Sequence, residues 1–235
     1  MRRLLLLSNS TNHGGSYLDH AMEAVASFLG PGRRVLFVPF ALRDWEAYTA
    51  KARERFAKAG IEVEGATAGS MGATALEKAA AVFVGGGNTF RLLDRLQRSG
   101  FLEILRRRVL AGMPYLGASA GTNIAAPTIK TTNDMPIVQP ASFSALGLVP
   151  FQINPHYLDA DPSSRHMGET REERLREFLE ENDMPVLGLR EGAWLRAEGD
   201  RATLEGANGG RLFRRGTDPE EVAPGAALDA LLRTP

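Results

Sequence analysis

Pro114-Tyr115-Leu116-Gly117-Ala118-Ser119-Ala120-Gly121 reads as a short buried strand that turns sharply into a helix, with a serine at the bend. Every residue beside Ser119 is glycine or alanine, as a tight strand-to-helix turn requires where the two elements close on each other. Such a bend lifts the hydroxyl clear of the sheet. It also leaves the N–H of Ala120 at a helix N-terminus, where it can donate to an oxygen gaining negative charge. The same small residues would equally suit a βα corner without chemistry. A strand feeding directly into a helix points to an α/β protein.

Working outward, short apolar runs alternate with amphipathic stretches. Strands are expected at Leu4-Leu7, Val35-Val38, Ala81-Val84, Tyr115-Ala118 and Val186-Leu189, and helices at Leu18-Leu29, Trp45-Ala59, Thr89-Arg98, Leu102-Ala111 and Arg171-Asn182. This alternation predicts a doubly wound, mostly parallel sheet with helices on both faces, in one domain spanning 1–235. After Ala193, the pair Trp194-Leu195-Arg196 and Ala202-Thr203-Leu204 around Glu198-Gly199-Asp200 predicts a β-hairpin. Doubly wound sheets bind ligands beyond the carboxyl ends of their strands. The loops from Ser8 to Ser16, from Gly85 to Asn88 and at Ser119 all fall there. The long aperiodic stretch from Thr128 to Pro162 is of the kind that usually carries function.

The chain has 235 residues, 43% of them apolar, with 28 Lys+Arg against 28 Asp+Glu. A balanced charge gives no field to recruit nucleic acid or an anionic membrane. Arg106-Arg107-Arg108 reads as a solvated helix face. With no cysteine, thiol catalysis, disulfides and thiolate metal sites are excluded. The run Arg2 to Leu7 is too short for a signal peptide, since it breaks at Ser8-Asn9-Ser10. No segment reaches the roughly 18 apolar residues of a membrane span. The expectation is a cytoplasmic protein.

A serine nucleophile needs a base, and His13, His20, His156 and His166 are the only imidazoles. His20 falls inside a helical pattern and His13 beside Gly14-Gly15. His156, in Ile153-Asn154-Pro155-His156-Tyr157, follows an apolar segment and a direction-fixing proline, which favours it. Two carboxylates are candidates to hold it. Asp134 gives the chain order Ser, Asp, His found in α/β-hydrolases, and Glu191 directly follows the expected strand Val186-Leu189. Spacing leaves both open. Gly85-Gly86-Gly87-Asn88 after a strand suits an oxyanion loop. It lacks the glycine or lysine pattern of a nucleotide cradle. No clustered spacing of metal ligands is present, so no metal is expected.

Taken together, Gly85-Gly86-Gly87-Asn88-Thr89-Phe90, Gly117-Ala118-Ser119-Ala120-Gly121, Thr131-Thr132-Asn133-Asp134-Met135-Pro136-Ile137-Val138, Gln152-Ile153-Asn154-Pro155-His156 and Gly168-Glu169-Thr170-Arg171 resemble the S51 family of serine peptidases, the α-aspartyl dipeptidases of the peptidase E type. The resemblance covers most of the chain. It implies a flavodoxin-like fold similar to class I glutamine amidotransferases, with serine in place of cysteine, and hydrolysis of small dipeptides with N-terminal aspartate without metal or organic cofactor. In it Ser119 is the nucleophile, His156 the base, and either Asp134 or Glu191 the acid. If Glu191 is the acid, Asp134 is free to bind the substrate α-ammonium. The N–H groups of Gly87 and Ala120 form the oxyanion hole, and Asn88 belongs with the substrate-binding residues. A substrate carboxylate calls for a planar cation, which points to Arg171, unless Glu169 or Glu172 pairs with it as on an ordinary helix start. A homodimer is admissible. Rival expectations are a cyanophycinase-like hydrolase of β-aspartyl-arginine and a noncatalytic amidotransferase-like binding module.

Overall fold

The computed structural model describes residues 1–30, 34–161, 163, 165 and 167–233. In chain order the elements are β1 (Arg3–Leu7), α1 (Met22–Leu29), β2 (Arg34–Val38), α2 (Trp45–Ala57), β3 (Glu62–Gly65), α3 (Ser70–Lys78), β4 (Val82–Val84), α4 (Thr89–Arg98), α5 (Phe101–Leu110), β5 (Tyr115–Ala118) and the short α6 (Ala120–Asn123). After a long irregular passage come β6 (Gln152–Tyr157), α7 (Arg171–Glu181), β7 (Val186–Arg190), β8 (Ala193–Glu198), β9 (Arg201–Gly206), β10 (Gly210–Phe213) and β11 (Glu220–Val222).

Seven strands form the main sheet in the order β3-β2-β4-β5-β1-β8-β9. The first five are parallel, and β8 and β9 add the expected hairpin antiparallel to β1. Successive side chains of a strand face opposite ways, so one run of leucines feeds two cores. Leu5 and Leu7 pack with Phe37, Phe83 and α1 and α2 on one face. Leu4 and Leu6 pack with Val84, Leu93 and Leu105 on the other, against α4 and α5. Helices therefore cover both faces, as the alternating pattern predicts. Among the described residues no helix is long and apolar enough to cross a membrane.

Val186-Leu189 departs from expectation. It belongs to a second sheet, β11-β10-β7-β6, where β7 pairs in parallel with β6 and antiparallel with β10. The place beside β1 is taken by β8, and β7 instead presses Leu187 and Leu189 onto the α4/α5 side of the main core. Its other face, with Val186, Tyr157 and Phe213, is covered by Leu175 and Leu179 of α7. The stretch from Thr128 to Pro162 thus contains a strand, β6, which polar Asn154 and His156 and the donorless Pro155 conceal from a propensity reading. This second sheet brings the ends of β6 and β7 to the carboxyl end of β5.

Candidate active site

Ser119 sits at the bend with φ 53° and ψ −112°, a conformation costing a residue with a Cβ of order 1–3 kcal/mol and kept only where packing enforces it. Gly117 and Gly121 permit that packing. A Cβ on Gly117 would stand 2.6 Å from the Gly121 carbonyl oxygen, and one on Gly121 would collide with the carbonyl of Val84 in β4. Hydrogen bonds complete the elbow: the Ser119 N–H donates to the Leu7 carbonyl at 3.1 Å, and Thr122 Oγ1 to the same carbonyl at 2.6 Å.

His156 reaches the serine by way of a β-bulge. Asn154 pairs with Gly188 and Tyr157 with Arg190, so β6 takes three steps where β7 takes two. Pro155 has no N–H to give the ladder, and His156 adopts φ 53°. Bulges re-aim side chains, and here the imidazole Nε2 lies 2.9 Å from Ser119 Oγ, while Nδ1 lies 2.7 Å from Glu191 Oε1. A carboxylate at Nδ1 selects the tautomer that carries its proton there, leaving Nε2 to accept from the serine hydroxyl.

Glu191 is fixed through its backbone. Its carbonyl accepts from Asn208 Nδ2 at 2.7 Å, and the next N–H, of Gly192, donates to Asn9 Oδ1 at 2.8 Å. Immediately before it, the Arg190 guanidinium pairs with Glu221 and with Asp159, the latter at 2.6 Å. Those two carboxylates raise the Arg190 pKa, and the Arg190 bond holds Asp159 below its usual range. Nothing in the sequence marks Asn9 or Asn208 for this task, because an asparagine in a loop carries no local sign of the backbone it will hold.

Asp134 is elsewhere. Its Oδ2 accepts the Thr89 N–H at 2.7 Å and the Thr132 hydroxyl at 3.2 Å, at the start of α4. Of the two carboxylates left open by spacing, Glu191 is the one on the imidazole. Asn88, expected among the substrate-binding residues, stands at the start of α4. Its Oδ1 caps α4 by accepting the Arg91 N–H at 3.0 Å, and its Nδ2 donates to the Met135 carbonyl at 2.8 Å, so both ends of the amide are engaged within the chain. That use follows from the asparagine preference at helix N-caps.

The Gly85–Gly87 loop lies against the serine: a Cβ on Gly86 would stand 3.0 Å from that of Ser119. Gly87 has φ 130°. Among the described residues no acceptor takes the N–H of Gly87 or of Ala120. Arg171 opens α7 behind the capping box of Thr170 and Glu173. The acids that would compete for it are occupied, Glu169 by Arg174 at 3.4 Å and Glu172 by Arg176 at 2.9 Å and Arg211 at 2.7 Å. Among the described residues Arg171 has no ion pair. Burial and the neighbouring Arg174 lower its pKa, and the charge of Asp134 opposes that shift. With Asp159, Thr170 and Arg174 it lines an open cavity of about 490 Å³. Of the other histidines, His13 is exposed, His20 packs near Trp194, and His166 lies outside the described residues.

Chemically, an oriented Ser-His-carboxylate line beside free backbone N–H groups supports acyl transfer. Comparison with known proteins agrees. The family model for Peptidase family S51 matches residues 4–205. A Peptidase E of Streptomyces coelicolor is 64% identical over 229 residues, covering 97% of this chain and 94% of that protein. A protein of Drosophila melanogaster described as a probable alpha-aspartyl dipeptidase is 50% identical over 235 residues, covering 99% of this chain and 98% of its own. The crystal structure of a peptidase from an acI-B1 Actinobacterium superposes with a TM-score of 0.70 over 97% of this chain and 96% of that one, at 16% identity, which bears on the fold alone.

Proposed function

The chain belongs to peptidase family S51 and is a serine peptidase, and from that premise we propose that Ser119, His156 and Glu191 cleave the bond after an N-terminal aspartate in Asp-X dipeptides. The observation that carries the reading is the unbroken line from Glu191 Oε1 through the imidazole to Ser119 Oγ, at 2.7 Å and 2.9 Å. As Oγ attacks the scissile carbonyl, Nε2 takes its proton, and the resulting imidazolium is stabilised by the Glu191 carboxylate. The tetrahedral oxyanion forms between the N–H groups of Gly87 and Ala120; losing one such donor raises a barrier of this kind by on the order of 3 kcal/mol. His156 then returns the proton to the leaving amine. Water, deprotonated in its turn by His156, hydrolyses the aspartyl ester and restores Ser119.

Specificity is assigned to Arg171 and Asp134. A half-buried arginine whose neighbouring acids are already paired is suited to grip the aspartate side chain with two parallel hydrogen bonds. Asp134, tied down through one oxygen, is suited to meet the α-ammonium group. A zwitterionic N-terminal aspartate presents those two charges together. We place the activity in the cytoplasm, in keeping with a chain that has no cysteine. A panel of Asp-X, Asn-X, Glu-X and β-Asp-X dipeptides tests the reading: Asp-X should be cleaved well above the others. Equal cleavage of Asn-X, or preference for β-Asp-X, would overturn the assignment.

A further inference from the structure

One peptide group next to the base is bonded at both ends. The carbonyl of Pro155 accepts from Asn133 Nδ2 at 2.7 Å, and the N–H of His156, the other end of the same peptide, donates to Ser8 Oγ at 2.9 Å. We infer that Ser8 and Asn133 clamp this peptide and are positioning residues for the general base. The inference rests on His156 acting as that base.

The need for a clamp follows from the bulge. Pro155 brings no ladder donor, and the pairing of β6 with β7 is interrupted between Asn154 and Tyr157. His156 is held at φ 53°, a region disfavoured for any residue with a Cβ. Nothing in the ladder prevents this peptide from turning, and a small turn is magnified at Nε2, the far end of the side chain. An error of about 1 Å in a reacting group can cost on the order of 10²-fold in rate.

Both clamp residues are themselves oriented. Ser8 is fully buried, and its hydroxyl donates to the Leu189 carbonyl at 2.8 Å, which leaves its lone pairs toward the His156 N–H. Asn133 Oδ1 accepts from Asn154 Nδ2 at 2.9 Å, and the Pro155 carbonyl can only take a donor, so the amide has one consistent orientation. The two sides also share an origin with the nucleophile. Leu7 and Ser8 are adjacent at the end of β1: the Leu7 carbonyl holds the Ser119 N–H, and the Ser8 hydroxyl holds the His156 N–H. The end of one strand thus sets the distance between nucleophile and base.

The test compares wild type, Ser8→Ala, Asn133→Asp and the double variant in kcat and KM for Asp-Leu, with thermal unfolding as the check on folding. Asn133→Asp keeps the acceptor for Asn154 and replaces the donor to Pro155 with a carboxylate oxygen that repels that carbonyl. Each single variant should lose about 10- to 100-fold in kcat with KM within about threefold, since the groups act on geometry and not on substrate affinity. The double variant should fall within about threefold of the worse single, as parts of one device do. A folded variant with wild-type kcat, or a loss confined to KM, overturns the clamp. If Ser8→Ala does not fold, Asn133→Asp, on a half-buried loop, decides alone. The rate at which a fluorophosphonate modifies Ser119, with fluoride leaving as Oγ bonds phosphorus, should fall in parallel with kcat. That reading is independent of the dipeptide: wild type reactive toward the fluorophosphonate but inert toward Asp-Leu would sink the proposed substrate, while the variants' modification rates would still decide the clamp.

Discussion

The carboxylate of Asp134 caps α4, its Oδ2 accepting the N–H of Thr89 at 2.7 Å, and so stands apart from the imidazole that Glu191 holds. The two acids should consequently fail in different ways. Glu191→Gln leaves a side chain of the same shape that no longer stabilises the imidazolium or enforces the tautomer, and kcat should fall by on the order of 10³- to 10⁴-fold. Asp134→Asn should chiefly raise KM for Asp-X. Steady-state kinetics of both variants checks this, and equal kcat losses at unchanged KM would remove the division of roles.

Arg171 has its neighbouring acids drawn off by Arg174, Arg176 and Arg211, leaving its planar fork for a carboxylate. Arg171→Lys keeps the charge and loses the fork. The ratio of kcat/KM for Asp-X over Asn-X should drop by about 10- to 100-fold, with little change in thermal stability because α7 retains its Thr170–Glu173 capping box. An unchanged ratio would assign the substrate carboxylate to another group.

His20 gives the fold a pH dependence. Both ring nitrogens are buried without a hydrogen-bond partner among the described residues, and burial lowers its pKa from the ordinary 6.5, against the opposing charges of Asp19 and Glu191. The unfolded chain therefore takes up this proton at a higher pH than the native state does. Stability should be unaffected by His20 well above 6.5, decline as pH falls through that value, and level off below the lowered native pKa. Urea unfolding at about pH 7.5 and about pH 5 should show a smaller loss for His20→Phe than for wild type. Equal losses would show that His20 is as easily charged in the fold as in the open chain.

What the sequence discloses and what it withholds differ in physical kind. The parallel strands β1, β2, β4 and β5 and the Ser119 elbow are local: apolar runs, and small residues flanking a serine, are sufficient to read them, whereas the charged edge strand β3, Glu62-Val63-Glu64-Gly65, carries no such run. The sheet to which Val186-Leu189 belongs is not local, since an apolar run buries equally well against β1 or against β6. The strand β6 escapes notice because the residues that make it useful, Asn154, Pro155 and His156, are those that strands avoid. Choosing Glu191 over Asp134 depends on where a bulge aims an imidazole, which chain order cannot express. The Asn88 cap, by contrast, was readable from an asparagine placed directly before a helix.

Release of aspartate from Asp-Leu by wild type and by Ser119→Ala, under the same conditions, decides whether Ser119 attacks the aspartyl carbonyl with His156 as its base. Wild type should turn the dipeptide over, and the folded variant should lose at least about 10⁴-fold in kcat, approaching 10⁶-fold. Turnover by Ser119→Ala within about tenfold of wild type would contradict attack by Ser119.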